Sequence, residues 1–429
     1  DAPPTQEMLA LLDGYPLRSM AVRMTFDGEV SNAVQATKRF TYYVDTSLSV
    51  SRLHPLGGPI SGGTAVHLYL ADSRLLVDLG GELYGPTCRF SYSEPSPARE
   101  RMIARSTLVR ADLTSCNGQR YCGAGWSALL CVAPPHTGPL NAEGAADVSV
   151  EVTVNGQDYT TSGRSFRYYD PSSWRAESFA PLGGPLTGNT SMRIASRLVE
   201  PLGDVRCRFG DHPLTKQTNA TILSASEVAC ASPPHWEARE GKQHVEVQLT
   251  LNGQDYLSFG PQVRLFTYYA LDQPPYGLSV DRLTPNGGPN AGGTLVSVRG
   301  TGFADLGHGG GGLLCRFSGE AAVAATHLVQ EYDLIRCKAP PVAVLVSPAA
   351  EPRSVEVTLN RQLRALSASA ISYQYFSATA FDMFRLHPLG GPISGGTAVH
   401  LYLADSRLLV DLGGELYGPT CRFSYSEPS

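Results

Sequence analysis

The fold is decided by Pro55-Leu56-Gly57-Gly58-Pro59-Ile60-Ser61-Gly62-Gly63-Thr64 and by the three places where that stretch returns. Residues 181–190 read PLGGPLTGNT, residues 285–294 read PNGGPNAGGT, and residues 388–397 read PLGGPISGGT once more. The last return belongs to a longer identity, because Arg385–Ser429 repeats Arg52–Ser96 without a change. A spacing of about 100 residues between openings marks a repeated module, with one insertion in the first copy. Asn189 departs from the pattern by replacing the second glycine of Gly-Gly-Thr, so the second opening turn is expected to differ.

Each opening leads into an alternating stretch, such as Thr64–Leu70 or Thr294–Val298. Alternation with period two reads as a half-buried strand. The glycines before it supply the backbone freedom of a tight turn. A Cys-Arg-Phe triplet follows at Cys88, Cys207, Cys315 and Cys421. A second cysteine precedes a double proline at Cys131, Cys230 and Cys337. Val148–Val154 and Val245–Leu251 then alternate, and each ends at Asn-Gly, the favoured pair for a type I′ hairpin turn. The third copy has Asn360-Arg361 there. Aromatic strands close the modules at Phe166–Tyr169, Phe266–Tyr269 and Tyr373–Phe376.

Together the Pro-x-x-Gly opening, the Cys-x-Phe strand, the Cys-x-[Ala/Ser]-Pro-Pro turn and the Phe-x-Tyr-Tyr strand resemble IPT/TIG domains. The resemblance implies an all-β chain of tandem immunoglobulin-like (IPT/TIG) β-sandwich modules, a family of binding and spacer modules in receptors, large surface proteins and some transcription factors. The modules expected are 52–169 with the insertion, 178–269 and 281–376. A closing half at 1–43 and an opening half at 385–429 flank them. Those halves are read as a cropped stretch of a longer array, with head-to-tail strand complementation between copies as the alternative.

The repeat register pairs Cys88 with Cys131, Cys207 with Cys230 and Cys315 with Cys337. Cys116 and Cys122 lie close together in the insertion and pair by proximity, which leaves Cys421 alone. Disulfides of this kind persist in oxidising compartments, so an extracellular location, secreted or at the cell surface, is expected. Two glycosylation sequons agree, at Asn189 and Asn219.

Composition narrows function by exclusion. The net charge is -5, which gives no basic footprint for nucleic acid. Lysine occurs only at positions 38, 216, 242 and 338, so arginine supplies nearly all of the 34 basic residues, and the arginines are scattered. No apolar run is long enough to span a membrane, and membrane contact is not expected of this segment. The glycine run 309–312 is followed by Leu313-Leu314-Cys315, not by the Lys-Ser/Thr of a phosphate loop. The ten histidines show no zinc spacing, and no nucleophile elbow is present. The tryptophans Trp126, Trp174 and Trp236 read as packing residues. The expectation is a non-catalytic protein without cofactor or metal, a structural repeat subunit of an extracellular fibre or cell-surface or flagellar appendage. Its partners would be proteins, foremost other copies of itself, with glycans possible. The alternative is the ectodomain of a receptor or adhesion protein that binds a protein ligand.

Overall fold

A computed structural model describes residues 17–29, 33–43, 48–71, 86–95, 102–115, 127–197, 199–210, 216–235, 243–257, 259, 265–271, 277–307, 311–327, 333–343, 351–377, 383–403, 421 and 423. Among them every regular element is a strand. Among the described residues no helix is long and apolar enough to cross a membrane.

Three β-sandwiches follow one another with the same strand order. In the first, Val50–His54, Ala65–Leu70 and Ser127–Val132 build one sheet with the end of the long strand Met102–Ser115. Thr87–Pro95, Ala145–Thr153 and Arg164–Tyr169 build the other, joined by the beginning of that same long strand. The short strand Gly57–Pro59 pairs in parallel with Arg167–Tyr169, so the opening of each module is tied to its closing strand. Gly183–Pro185 and Gly287–Pro289 repeat the arrangement against Thr267–Tyr269 and Gln374–Phe376.

The alternation in the sequence becomes burial. Ser191–Ser196 turns Met192, Ile194 and Ser196 inward and leaves the intervening residues exposed. Phe90 meets Phe166 edge to face at 5.9 Å, as Phe209 meets Phe266 at 5.4 Å and Phe317 meets Tyr373 at 5.3 Å. Such edge contacts suit the charge distribution of the rings. A tyrosine of each closing strand donates its hydroxyl to the first carbonyl of the double proline: Tyr168 to Pro134, Tyr268 to Pro233 and Tyr375 to Pro340. Burial pushes the Tyr168 and Tyr268 hydroxyls well above their usual titration range, which keeps them as donors. The disulfides Cys88–Cys131, Cys207–Cys230 and Cys315–Cys337 cross from one sheet to the other, with Cα separations of 6.4, 6.4 and 6.3 Å.

Two local expectations are corrected. The opening turn of the second module does not differ. Asn189 has φ +60° where Gly63 and Gly293 have +92° and +89°, because asparagine tolerates the left-handed region better than other side chains. The Asn-Gly turns are not type I′, which needs positive φ at both central residues. Gly156 and Gly253 are left-handed, whereas Asn155 and Asn252 are not. The asparagines work through their side chains instead, accepting backbone N–H groups further along the loop. In the third module Arg361 takes the left-handed position with φ +63°.

Outside the sandwiches, Leu17–Met24 pairs with Val34–Tyr43, and Met383–His387 pairs with His400–Leu403. These hairpins have no second sheet among the described residues. Phe26, Phe384 and Leu389 are therefore 86%, 68% and 86% exposed, against nearly complete burial of the large aromatics inside the sandwiches. Cys421 is exposed and unpaired. Cys116, Cys122, Trp126, Trp236, Gly309 and Gly310 lie outside the described residues.

Candidate functional site: the module junctions

The most specific constellation of polar side chains lies where one sandwich meets the next. At the first junction the Asn252-Gly253-Gln254-Asp255 turn of the second module reaches the opening of the first. Asn252 Nδ2 donates to the Gly57 carbonyl at 3.0 Å. The Gln254 side chain takes both backbone groups of Ala65: its Oε1 accepts from the N–H at 2.9 Å, and its Nε2 donates to the carbonyl at 2.8 Å. Thr64 Oγ1 donates to Asp255 Oδ2 at 2.7 Å, an oxygen that also accepts from Asn252 Nδ2. The Leu56 N–H donates to the Leu202 carbonyl at 2.6 Å.

The second junction repeats this grip. Asn360 Nδ2 donates to the Gly183 carbonyl at 3.0 Å. Gln362 accepts from the Ser191 N–H at 3.1 Å and donates to the Ser191 carbonyl at 2.6 Å. The Leu182 N–H donates to the Leu306 carbonyl at 2.7 Å. One contact is missing. Leu363 stands where Asp255 stood, and the buried Thr190 Oγ1 has no hydrogen-bond partner.

The glycines of the openings make these approaches possible. A Cβ at Gly57 would collide with the Arg167 carbonyl and press on the Leu202 side chain, and one at Gly183 would collide with Leu306 and the Thr267 carbonyl. Asn252 and Asn360 are correspondingly 1% and 3% exposed, although each sits at the tip of a loop. Apolar packing continues across the joints. Ala145, Tyr169 and Trp174 belong to the core of the second sandwich, and Tyr269 belongs to that of the third. Trp174 stacks on Tyr169 at 5.2 Å and donates its indole N–H to the Glu143 carbonyl.

Charge adds to the first junction. Arg167 pairs with Asp147 at 2.7 Å within its own sandwich and with Glu200 of the next. Its hydrogen bond holds the Asp147 carboxyl below the usual carboxylate range. His54 lies against Gly203 of the second module, and burial lowers its pKa, followed by the repulsion of Arg52. At the second junction an open cleft of about 840 Å³ is lined by Pro181, Asn189, Arg193, Gly311, Arg361 and Arg364.

The other sequence candidates take definite places. Asn189 is exposed on that cleft, and Asn219 is exposed on the strand Gln217–Ser224. The glycine run beside Cys315 is filled by its own chain. The Asp305 carboxylate accepts the N–H groups of Gly307, Gly311 and Gly312, so the space a phosphate would need holds a carboxylate. Among the described residues no group of three His, Cys, Asp or Glu side chains is arranged to hold a metal. The sequence reading missed the junction. A signal was present: Gln recurs two residues after the turn asparagine at 157, 254 and 362, although no turn geometry asks for glutamine there.

Comparison with known proteins agrees with this architecture. The family model for the IPT/TIG domain matches residues 278–375. Plexin-2 of Caenorhabditis briggsae is 30% identical over 150 residues, covering 34% of this chain and 8% of that protein. The chain thus spans a small fraction of the length of this relative. Among solved structures, the full extracellular region of plexin A4, domains 1 to 10, covers 90% of this chain and 37% of its own, at 12% identity and a TM-score of 0.31. Invasin, a bacterial integrin-binding protein, covers 76% of this chain and 59% of its own, at 13% identity and a TM-score of 0.18. Residues 278–375 match the IPT/TIG domain, and the two preceding sandwiches repeat their strand order, cross-sheet disulfide and opening, so the three sandwiches form an all-β array of tandem immunoglobulin-like modules.

Proposed function

We propose that this chain is a stretch of the ectodomain of a cell-surface receptor or adhesion protein, in which locked IPT/TIG modules space and orient protein-binding surfaces. The observation that carries the reading is the repeated junction. Two successive joints use the same asparagine, glutamine and leucine positions, which turns flexible linkage into a set geometry. Inter-domain contacts within a chain otherwise leave relative motion as the default. The likeness to Plexin-2 supports a surface receptor more than a fibre subunit, and the fibre reading of the sequence finds no support in the relatives. The cross-sheet disulfides suit an oxidising compartment. On this reading the segment binds proteins, performs no catalysis, and carries glycans at Asn189 and Asn219.

Antibodies raised against the chain test the assignment on intact source cells. Surface labelling that is lost on mild external proteolysis, and that partitions with detergent-extracted membranes, is expected. Labelling confined to the cytoplasm, or released with detergent-insoluble filaments, would overturn it.

A further inference from the structure

We propose that the second junction binds an acidic saccharide, one of whose sulfate or carboxylate oxygens takes the place beside Thr190 and Asn360 that the Asp255 carboxylate holds at the first junction. The two joints supply the contrast. At the first, Thr64 Oγ1 and Asn252 Nδ2 converge on Asp255 Oδ2, each at 2.7 Å. At the second, Leu363 stands in place of that aspartate. Among the described residues the Thr190 hydroxyl has no partner, and Asn360 Nδ2 keeps only its bond to the Gly183 carbonyl. Thr190 and Asn360 are 2% and 3% exposed, so two donors lie buried where the first joint has a carboxylate oxygen. Donors left unpaired in the interior are costly, and one anion oxygen satisfies both. Both also border open space. Thr190 lines a recess of about 280 Å³ and Asn360 lines the cleft of about 840 Å³, while Asn189, Gln362 and Arg364 line the two together.

The turn has reversed its charge as well. Asn-Gly-Gln-Asp-Tyr at 155–159 and 252–256 becomes Asn-Arg-Gln-Leu-Arg at 360–364, so one negative charge gives way to two positive ones. In the first two modules the arginine of Cys-Arg-Phe lies over the ring of that tyrosine, Arg89 over Tyr159 at 3.9 Å and Arg208 over Tyr256 at 3.7 Å. Arg364 stands in the tyrosine's position and offers a guanidinium instead. Arg361 and Arg364 are exposed, and among the described residues neither is ion-paired. Arg193, also on the cleft, is already paired with Glu227 at 3.0 Å. Among the described residues no carboxylate lines the cleft. Guanidinium groups meet sulfate and carboxylate groups through two parallel hydrogen bonds. An acidic peptide would be held by a free strand edge or by side-chain pockets. The bordering strand Ser191–Ser196 is paired on both sides, and the apolar lining is limited to Ala180, Pro181 and Leu363, so the cleft suits a hydroxylated anion better. The inference goes beyond the receptor reading, and its test on purified chain is independent of where the protein resides.

Titration calorimetry tests the site in the full chain, secreted into a bacterial periplasm so that the disulfides form and Asn189, on the cleft, stays unmodified. The probes are a heparin-derived tetrasaccharide, an oligogalacturonate of the same length, maltotetraose and tetraglutamate. At least one acidic saccharide should bind with one site per chain, and maltotetraose should not; the sulfated or the uronate probe, whichever binds more tightly, identifies the anionic group. Thr190→Val, which removes the buried donor, and Arg361→Gly, which restores the residue of the other two turns, should each weaken binding by about tenfold. Leu363→Asp supplies the carboxylate from within the chain and should weaken binding at least as much while the fold remains intact, so its loss of binding cannot be a loss of structure. Arg110→Ala, an exposed arginine on the first module, should leave the affinity unchanged and so exclude general charge attraction. Failure of both acidic saccharides to bind, binding by Leu363→Asp as tight as by the parent chain, an equal loss in Arg110→Ala, or tetraglutamate binding as tightly as the better saccharide would each overturn the proposal.

Discussion

Asn252→Ala should uncouple the first two modules, and Asn155→Ala provides its internal reference. Both substitutions remove the same local contacts. Asn252 accepts from Gln254 N and Asp255 N at 3.0 and 2.9 Å and donates to Asp255 at 2.7 Å, and Asn155 makes the same set within its own loop. Only Asn252 also donates to the Gly57 carbonyl, at a joint that leaves it 1% exposed. The truncation leaves a buried acceptor without its donor, which costs about 1–3 kcal/mol beyond the shared loop contacts. Trp174 reports on this joint, because it is fully buried against Tyr169 at the start of the second module. With Trp126 and Trp236 replaced by phenylalanine, its fluorescence follows urea unfolding of the junction. At sub-micromolar chain concentration, Asn252→Ala should lower the midpoint on the order of 1 M more than Asn155→Ala does. Equal midpoints for the two variants would show that the turn asparagine only shapes its own loop, and the assignment of Asn252 to the junction would fail.

Leu363→Asp should strengthen the second junction by about 1 kcal/mol, because it offers the orphaned Thr190 hydroxyl an acceptor and replaces a side chain that is half exposed; a rise in melting temperature that Thr190→Val abolishes would confirm it. Stability should fall as the pH drops below about 6.5. Burial holds His54 and His136 below the 6.5 of the free imidazole, so the unfolded chain takes up protons that the folded chain resists. The contribution is complete above 6.5 and is lost toward the lower folded pKa, and His54→Gln with His136→Gln should flatten the profile measured from pH 8 to 5. Non-reducing peptide mapping should recover a Cys116–Cys122 linkage beside the three cross-sheet pairs. Secretion from a eukaryotic host should place glycans on Asn189 and Asn219, seen as a mass loss on enzymatic removal that Asn189→Gln and Asn219→Gln each reduce.

Much of the module was legible because its signals are local. The period-two alternation of Ser191–Ser196 names its buried residues directly, since successive side chains of a strand must point to opposite faces. Four openings in register set the modules, and Cys-Arg-Phe with Cys-x-x-Pro-Pro marks the strands that face each other across the core. The Asn-Gly pair misled for the same local reason. It is a strong hairpin signal, but the loop is longer than two residues, and its asparagine bonds through the side chain while its backbone stays out of the left-handed region. Only the tertiary structure could show that Asn252 holds Gly57, 195 positions earlier in the chain. A contact between two modules leaves no period in either one. It depends on how two finished sandwiches meet, and on a glycine carbonyl that is available because no side chain stands in the way. What the sequence determined was the unit and its repetition, because strand and turn chemistry act within a few residues; the joining of units was decided by packing between surfaces that exist only after each unit has folded.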